Sequence, residues 1–161
     1  MRRWLEELAN NPLYAFADWP NITIPKVCAG VYAIYDKRET FLYVGMAGEA
    51  LTEAEIEKKK AGNKTSGLLD RLGSHASGYR SGDMFNIYIC DRFVLRLLAA
   101  EEVANISSGT LKLDSLNKVF IRENLYYRYV ITPNHLVRSL ERHVKKEGID
   151  GVMPSINAQQ S

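Results

Sequence analysis

Apolar positions along the chain recur in two periods, one near 3.6 residues and one of 2, and the switches between them mark the predicted elements. Residues 3–9 set Trp4, Leu5 and Leu8 on one side of a short amphipathic helix, and a wrapping arm punctuated by Pro12, Pro20 and Pro25 follows. AGVYAIYD at 29–36 is β-branched and aromatic, ends on the turn-like Asp36-Lys37-Arg38-Glu39, and is answered by TFLYVG at 40–45, which predicts a β-hairpin. Val31, Ala33 and Tyr35 alternate with Tyr32 and Ile34, so both faces of that hairpin are apolar and both need cover. Thr52 and Glu55 have capping-box spacing at the head of an exposed helix, LTEAEIEKKK, and a lysine-rich, glycine-broken loop continues to Gly67.

From Leu68 the run LLDRLGSHA is helical in spacing, with Leu68, Leu69 and Leu72 inward, Arg71 and His75 four apart on another face, and Gly78 as the stop. MFNIYICDRFV at 84–94 alternates like a strand, RLLAAEEVANI runs on as a helix, and residues 107–124 read as loop-rich. LYYRYVIT at 125–132 is a strand. The last helix is bounded by Thr132 as N-cap, Pro133 at its first position and Gly148 past its end. Its stripe is Leu136, Val137, Leu140 and Val144, and Glu141 falls on the border of that stripe rather than on the outer face.

A chain of 161 residues with 46% apolar and 25% charged side chains is one folded domain's worth of sequence, which sets aside disorder and fibrous repeats. Cys28 and Cys90 are too few for a disulfide framework, which suits a reducing cytoplasm. Glu6 and Glu7 interrupt any signal-like apolar run, and no stretch has spanning length, so the expectation is a protein neither exported nor embedded in a membrane. A net charge of +2 leaves the partner open. By segment, however, Lys58, Lys59, Lys60, Lys64, Arg71 and Arg80 stand against Asp70 in 58–80. Arg122, Arg128, Arg138, Arg142, Lys145 and Lys146 stand against Glu123 and Glu141 in 122–146. Two basic stretches of this kind suit phosphate binding.

Gly30-Val31-Tyr32 on one hairpin strand and Tyr43-Val44-Gly45 on the other resemble the signature of the GIY-YIG nuclease superfamily, with valine for isoleucine in both halves. Arg71 with His75, Leu140-Glu141 on a late helix after a strand, and Pro154-Ser155-Ile156-Asn157 follow in the order of that family's arginine, glutamate and asparagine motifs. The resemblance spans roughly residues 28–157. It implies a single α+β domain over 1–161, a small antiparallel β-sheet flanked by helices, with an N-terminal arm at 1–27 and insertions at 46–67 and 95–124. It also implies a DNA endonuclease needing a divalent metal, Mg²⁺ or else Mn²⁺. In that reading Tyr32 accepts the proton of the attacking water and Tyr43 orients the water or a phosphate oxygen. Arg71 and His75 bind phosphate or water, Glu141 holds the metal, and Asn157 pins the site. The spacing of His75 after Arg71 and the 46–67 insertion resemble the restriction-enzyme branch. That branch implies DNA as partner, a homodimer for a palindromic target, and base contacts from 46–67 and 107–124. Structure-specific repair or mobile-element nucleases, and a non-catalytic nucleic-acid-binding module, are the alternatives.

The chemistry of the residues agrees. A carboxylate on the border of an apolar stripe suffices for a metal that takes its other ligands from phosphate and water, and arginine offers a planar, permanently charged fork for a phosphate. Tyr32 is a poor base at its ordinary pKa and needs a neighbouring cation or hydrogen-bonding group, for which Arg71, His75 and Tyr43 are the candidates. Lys58, Lys59, Lys60, Lys64, Arg138, Arg142 and Lys145 are the candidate DNA contacts, and Lys37 in the hairpin turn a candidate phosphate clamp. Singly, each residue has an ordinary role: tyrosines pack across strands, Glu141 pairs with Lys145 at i+4, and Asn157 makes a turn.

Overall fold

The amphipathic pattern at the N-terminus becomes α1 (Arg2–Asn10), which buries Leu8 and packs Trp4 and Leu5. In the computed structural model, which describes residues 1–159, the arm continues through β1 (Tyr14–Ala15) and β2 (Val27–Cys28) to the hairpin β3 (Gly30–Asp36) and β4 (Phe41–Ala47). Asp36 shapes the hairpin turn by accepting from the Arg38 and Thr40 backbone N–H groups, both at 2.8 Å. Then come α2 (Glu53–Ala61), capped by the Thr52 hydroxyl as predicted, β5 (Ser66–Gly67), and α3 (Leu68–Ser77), which stops at a left-handed Gly78. The remaining elements are α4 (Met84–Ile89), α5 (Ala100–Ser107), α6 (Leu113–Asn124), β6 (Leu125–Ile131) and α7 (Val137–Glu147).

The chain is an α+β domain whose main sheet has the order β1-β6-β3-β4 and is antiparallel throughout, with β2 and β5 forming a short parallel pair. Both faces are covered, as the two-sided hairpin requires. Leu8 of α1 and Val137, Leu140 and Val144 of α7 pack on Val31, Ala33 and Val44. On the opposite face, Leu68 and Leu72 of α3, Phe85 of α4 and Ile121 of α6 pack on Tyr32, Ile34 and Tyr127. A register shift beyond Ile34 bulges β4, so Leu42 and Tyr43 both turn toward the α3 side and strict alternation breaks there. The outer edge of β4 is met by the tail, where Ser155 N–H donates to Phe41 and Ile156 N–H to Leu42.

Four expectations are corrected. Residues 84–94 are helical, not a strand: Asp83 caps α4, and a widened π turn at Cys90–Val94 follows it, so Phe85, Ile89, Cys90 and Val94 all reach the core. The π turn disrupts the 3.6 period, which hides the helix from a periodicity reading. The predicted helix from 96 is a 3-10 turn at Leu95–Leu97, a break at Leu98, and then α5. Within 107–124, residues 113–124 form α6 rather than loop, with Ile121 fully buried. The buried polar Asn117 interrupts its stripe while donating to the Gly78 and Asn86 carbonyls, which obscured the pattern. Thr132 and Pro133 do not open the last helix. A 3-10 turn at Asn134–Leu136 precedes α7, and Pro133 is extended. Gly148 ends α7 as expected.

Candidate active site

Strand register brings the two half-motifs together. Tyr32 on central β3 lies directly opposite Gly45 on edge strand β4, with Tyr43 two residues before it. A Cβ at Gly45 would stand 2.2 Å from the Tyr32 hydroxyl and 2.4 Å from its Cζ, so the ring occupies the space that glycine leaves. An aromatic lying across an edge glycine also makes an ordinary cross-strand pair. Tyr43 stacks on Tyr32 at 6.5 Å between ring centroids.

Helix α3 approaches the same face and brings His75 to Tyr32, the Tyr32 oxygen lying 2.6 Å from His75 Nε2. Nδ1 of His75 lies 2.7 Å from Oδ2 of Asp83, a residue sequence reasoning passed over. The available signal was an N-cap acid just before an apolar run, in the turn that sends the chain back along α3. Both Asp83 oxygens are engaged. Oδ1 accepts from the Phe85 and Asn86 backbone N–H groups, and Oδ2 from the Asn86 side chain as well as from His75. Tyr32 and His75 are each 1% exposed and Asp83 is 6% exposed.

Burial sets the electrostatics. It pushes the Tyr32 phenol well above its ordinary range, helped by Tyr43, Asp83 and Glu141 and opposed by Arg71. Tyr43 is pushed up to about 12, by burial first and then by the charges of Asp83 and Glu141. Burial also holds His75 below its usual range, against the pull of Asp83. Burial raises Asp83, but the His75 hydrogen bond and two backbone donors outweigh it, so this carboxylate titrates below its ordinary value. The pair is therefore a neutral histidine on an ionised aspartate.

Arg71, one turn before His75, is exposed, and among the described residues its side chain makes no ion pair or hydrogen bond. It lines a groove of about 730 Å³ together with Gly48, Glu55, Lys59 and Gly67. The groove runs on into a second concavity that includes Asp70 and Ser74. Glu141 hangs from α7, whose buried stripe covers the other face of the sheet. Its charge reaches both tyrosines, although among the described residues no hydrogen bond joins it to Tyr32, Tyr43, Arg71 or His75. Its side chain is 13% exposed and pairs with Lys145 Nζ at 2.6 Å, the ordinary i+4 pairing. Asn157 pins β4 from outside, its amide donating to the Val44 carbonyl at 2.6 Å while its carbonyl accepts from the Val44 N–H at 3.1 Å.

The candidate DNA contacts divide. Lys58, Lys60 and Lys64 are exposed on or after α2, with Lys60 on Glu57 at 3.1 Å, and Lys59 lines the Arg71 groove. Arg142 is exposed. Arg138 is held by Glu49 through two bonds at 2.5 and 2.6 Å, and Lys145 by Glu141. Arg122 donates to the Ala76 and Trp19 carbonyls. Lys37 lines a separate concavity with Lys118 and Tyr126, away from Arg71.

Among the described residues no helix is long and apolar enough to cross a membrane, and no cluster of three His, Cys, Asp or Glu side chains forms a metal cage. Both cysteines are free and buried. Compared with protein-family models, curated proteins and solved structures, the chain finds no match.

Proposed function

We propose that this chain is a divalent-metal-dependent DNA endonuclease that hydrolyses phosphodiester bonds, similar to the GIY-YIG nucleases and, among them, to restriction enzymes. The observation that carries the reading is the Tyr32 to His75 hydrogen bond at the point where the two half-motifs pair, with unpaired Arg71 one helical turn away. A buried phenol is a poor base alone, and this arrangement gives it the proton acceptor it lacks.

Glu141 is the residue that would hold the metal. Its mostly buried carboxylate already neighbours a cation, Lys145 Nζ, so the position suits positive charge, and one carboxylate fits Mg²⁺ or Mn²⁺ that draws its other ligands from phosphate oxygens and water. When bound, the ion supplies charge neutralisation at the phosphate. Arg71 takes a phosphate oxygen and offsets the negative charge that grows as water attacks phosphorus. The water's proton passes to the Tyr32 oxygen as Tyr32 releases its own to His75 Nε2. Tyr43 flanks the tyrosine, and Asn157 holds Val44 beside it. Lys58, Lys59, Lys64 and Arg142 are the expected backbone contacts, on a homodimer if the target is palindromic, in a reducing cytoplasm.

The deep burial of Tyr32 and His75 favours a second reading, a non-catalytic nucleic-acid-binding module of the same fold, in which the pair is a satisfied core hydrogen bond. Incubating supercoiled plasmid with the chain and Mg²⁺ or Mn²⁺ decides between them. Nicking by the wild type that disappears in Tyr32→Phe and Glu141→Ala supports the nuclease, and plasmid left intact by the wild type supports the module. Cut ends sequenced from a randomised DNA pool, set beside cleavage of flap and branched substrates, separate a restriction enzyme from a repair or mobile-element nuclease.

A further inference from the structure

We infer that Asp83 is a positioning residue for the reaction, the third member of a Tyr32–His75–Asp83 relay, holding His75 in the tautomer that accepts the Tyr32 proton. The inference rests on the nuclease reading for its purpose, but its geometry stands apart from it. The Asp83 carboxylate has no proton to give and accepts at both oxygens, so the His75 nitrogen 2.7 Å from Oδ2 carries the hydrogen. Nδ1–H is thereby fixed and Nε2 keeps its lone pair. The only hydrogen available between Nε2 and the Tyr32 oxygen, 2.6 Å apart, is the phenolic one, so Tyr32 donates to His75. Direction matters here. A histidine of the other tautomer would donate to Tyr32, leaving the phenol's own proton nowhere to go in a site that is 1% exposed.

One hydrogen leaves the attacking water for the Tyr32 oxygen, the phenolic hydrogen moves to Nε2, and the resulting imidazolium sits against an ionised Asp83 that stays ionised. As the new P–O bond forms, the P–O bond to the leaving oxygen breaks with its electron pair on that oxygen, which takes a proton from solvent water, and the imidazolium returns its own proton to solvent after the turnover. Asp83 is itself fixed by four donors: the backbone N–H groups of Phe85 and Asn86, the Asn86 amide, and His75. The Asn86 amide is oriented in turn by the Ser74 and Tyr79 carbonyls, both at 3.0 Å. The cap of α4 therefore serves as the support for His75, and the helix that replaced the expected strand is what places it.

The test uses Asp83→Asn and Asp83→Ser in the full chain. Asparagine keeps an oxygen for the cap but presents an N–H to His75, which then becomes Nε2–H. Serine keeps the cap and removes the acceptor. In ¹⁵N NMR of the imidazole, the wild type is expected to show Nδ1–H and Asp83→Asn to show Nε2–H. Cleavage kcat is expected to fall roughly 10³–10⁴-fold in Asp83→Asn with KM little changed, the scale seen when the analogous carboxylate of a catalytic triad becomes an amide. Asp83→Ser is expected to lose kcat as well, although it retains the cap that a purely structural role would need. An unchanged tautomer in Asp83→Asn overturns the assignment. So does a switched tautomer with kcat within about threefold of wild type. A wild-type chain that cuts no DNA refutes the nuclease reading itself, whereas the NMR measurement still decides what Asp83 does to His75.

Discussion

Gly45→Ala is the sharpest probe of how the half-motifs fit. The added methyl carbon would lie 2.2 Å from the Tyr32 hydroxyl and 2.4 Å from Cζ, where ordinary contact begins at 3.4 Å, so the ring must withdraw by roughly 1.2 Å. It has little room to do so, being 1% exposed and held at 2.6 Å from His75. A displacement of that size cannot keep the 2.6 Å geometry of the Tyr32–His75 hydrogen bond, whichever way the ring moves. Overpacking costs about 1–3 kcal/mol and a buried hydrogen-bonding pair left broken a further ~1–3 kcal/mol, giving a loss of about 2–6 kcal/mol. For a chain of this size each kcal/mol lowers the melting temperature by about 2–4 °C. Urea unfolding monitored by circular dichroism, with the m-value checked for constancy, measures the loss. Gly62→Ala is the control, because its nearest atoms lie at 3.6 Å and its φ is −81°. Tyr32→Phe in the Gly45→Ala background should not restore stability, since the contact with the ring carbon remains. A Gly45→Ala chain within about 1 kcal/mol of wild type, with the His75 resonances unmoved, would refute this account of the hairpin.

Four further outcomes follow from the same geometry. Glu141→Ala is expected to abolish metal-dependent cleavage while lowering the unfolding free energy by about 1–3 kcal/mol, because it strips Lys145 of its partner in a mostly buried i+4 pair; a larger stability loss in urea unfolding would reassign Glu141 to the fold. Lys145→Ala removes a cation 2.6 Å from that carboxylate and should lower the Mg²⁺ concentration needed for half-maximal cleavage, and an unchanged requirement would separate Glu141 from the metal. Asn157→Ala deletes both side-chain bonds to Val44, worth about 1–3 kcal/mol together, and should speed hydrogen exchange at the Val44 amide before that of central β3. Because His75 titrates below its ordinary 6.5 when folded, chiefly through burial, its contribution is full above pH 6.5 and is lost as pH falls from there toward the folded value. The slope is at most one proton, about 1.4 kcal/mol per pH unit, with a further loss from the lowered Asp83 below about pH 4; urea midpoints from pH 8 to pH 5 should show the first slope, and His75→Gln should flatten it.

Elements whose stripe or alternation is purely apolar were legible in the sequence. The hairpin, β6, α1 and the body of α7 all show their periodicity, and in the hairpin turn Asp36 has an obvious local partner in the backbone it bonds. What was hidden had a polar residue facing inward. Asn117 breaks the stripe of α6, and Asn86 that of α4, each because it serves backbone carbonyls of neighbouring segments. Read one segment at a time, such residues give the look of a loop at 107–124 and of strand alternation at 84–94. The same reason concealed Asp83: its cap role is local, but its bond to His75 spans a turn between two helices. Tyr32 and His75 were named from the sequence, whereas their direct bond depends on the packing of α3 against the sheet, which no spacing encodes.

The charge of the chain needs reading with the fold in hand. Split by segment, +2 conceals two basic stretches, yet in the second of these Arg122 is committed to two carbonyls, Arg138 to Glu49 and Lys145 to Glu141. Their charge supports α7 and its neighbours more than it attracts an anion. In the first stretch Lys58, Lys59, Lys64 and Arg71 have no ion-pair partner among the described residues, and Lys59 and Arg71 share one groove. Any electrostatic attraction to a polyanion should therefore centre on the α2 and α3 side of the sheet. That side also holds Tyr32 and His75, while Glu141 hangs from α7, which covers the other face of the sheet, and the tail covers the edge of β4 between them. In the proposed chemistry a phosphate drawn to Arg71 arrives beside that edge, with Tyr32 on the α3 face of the sheet and Glu141 on the α7 side. The strand's outer contacts to Ser155, Ile156 and Asn157 thus control the distance on which the proposed chemistry depends.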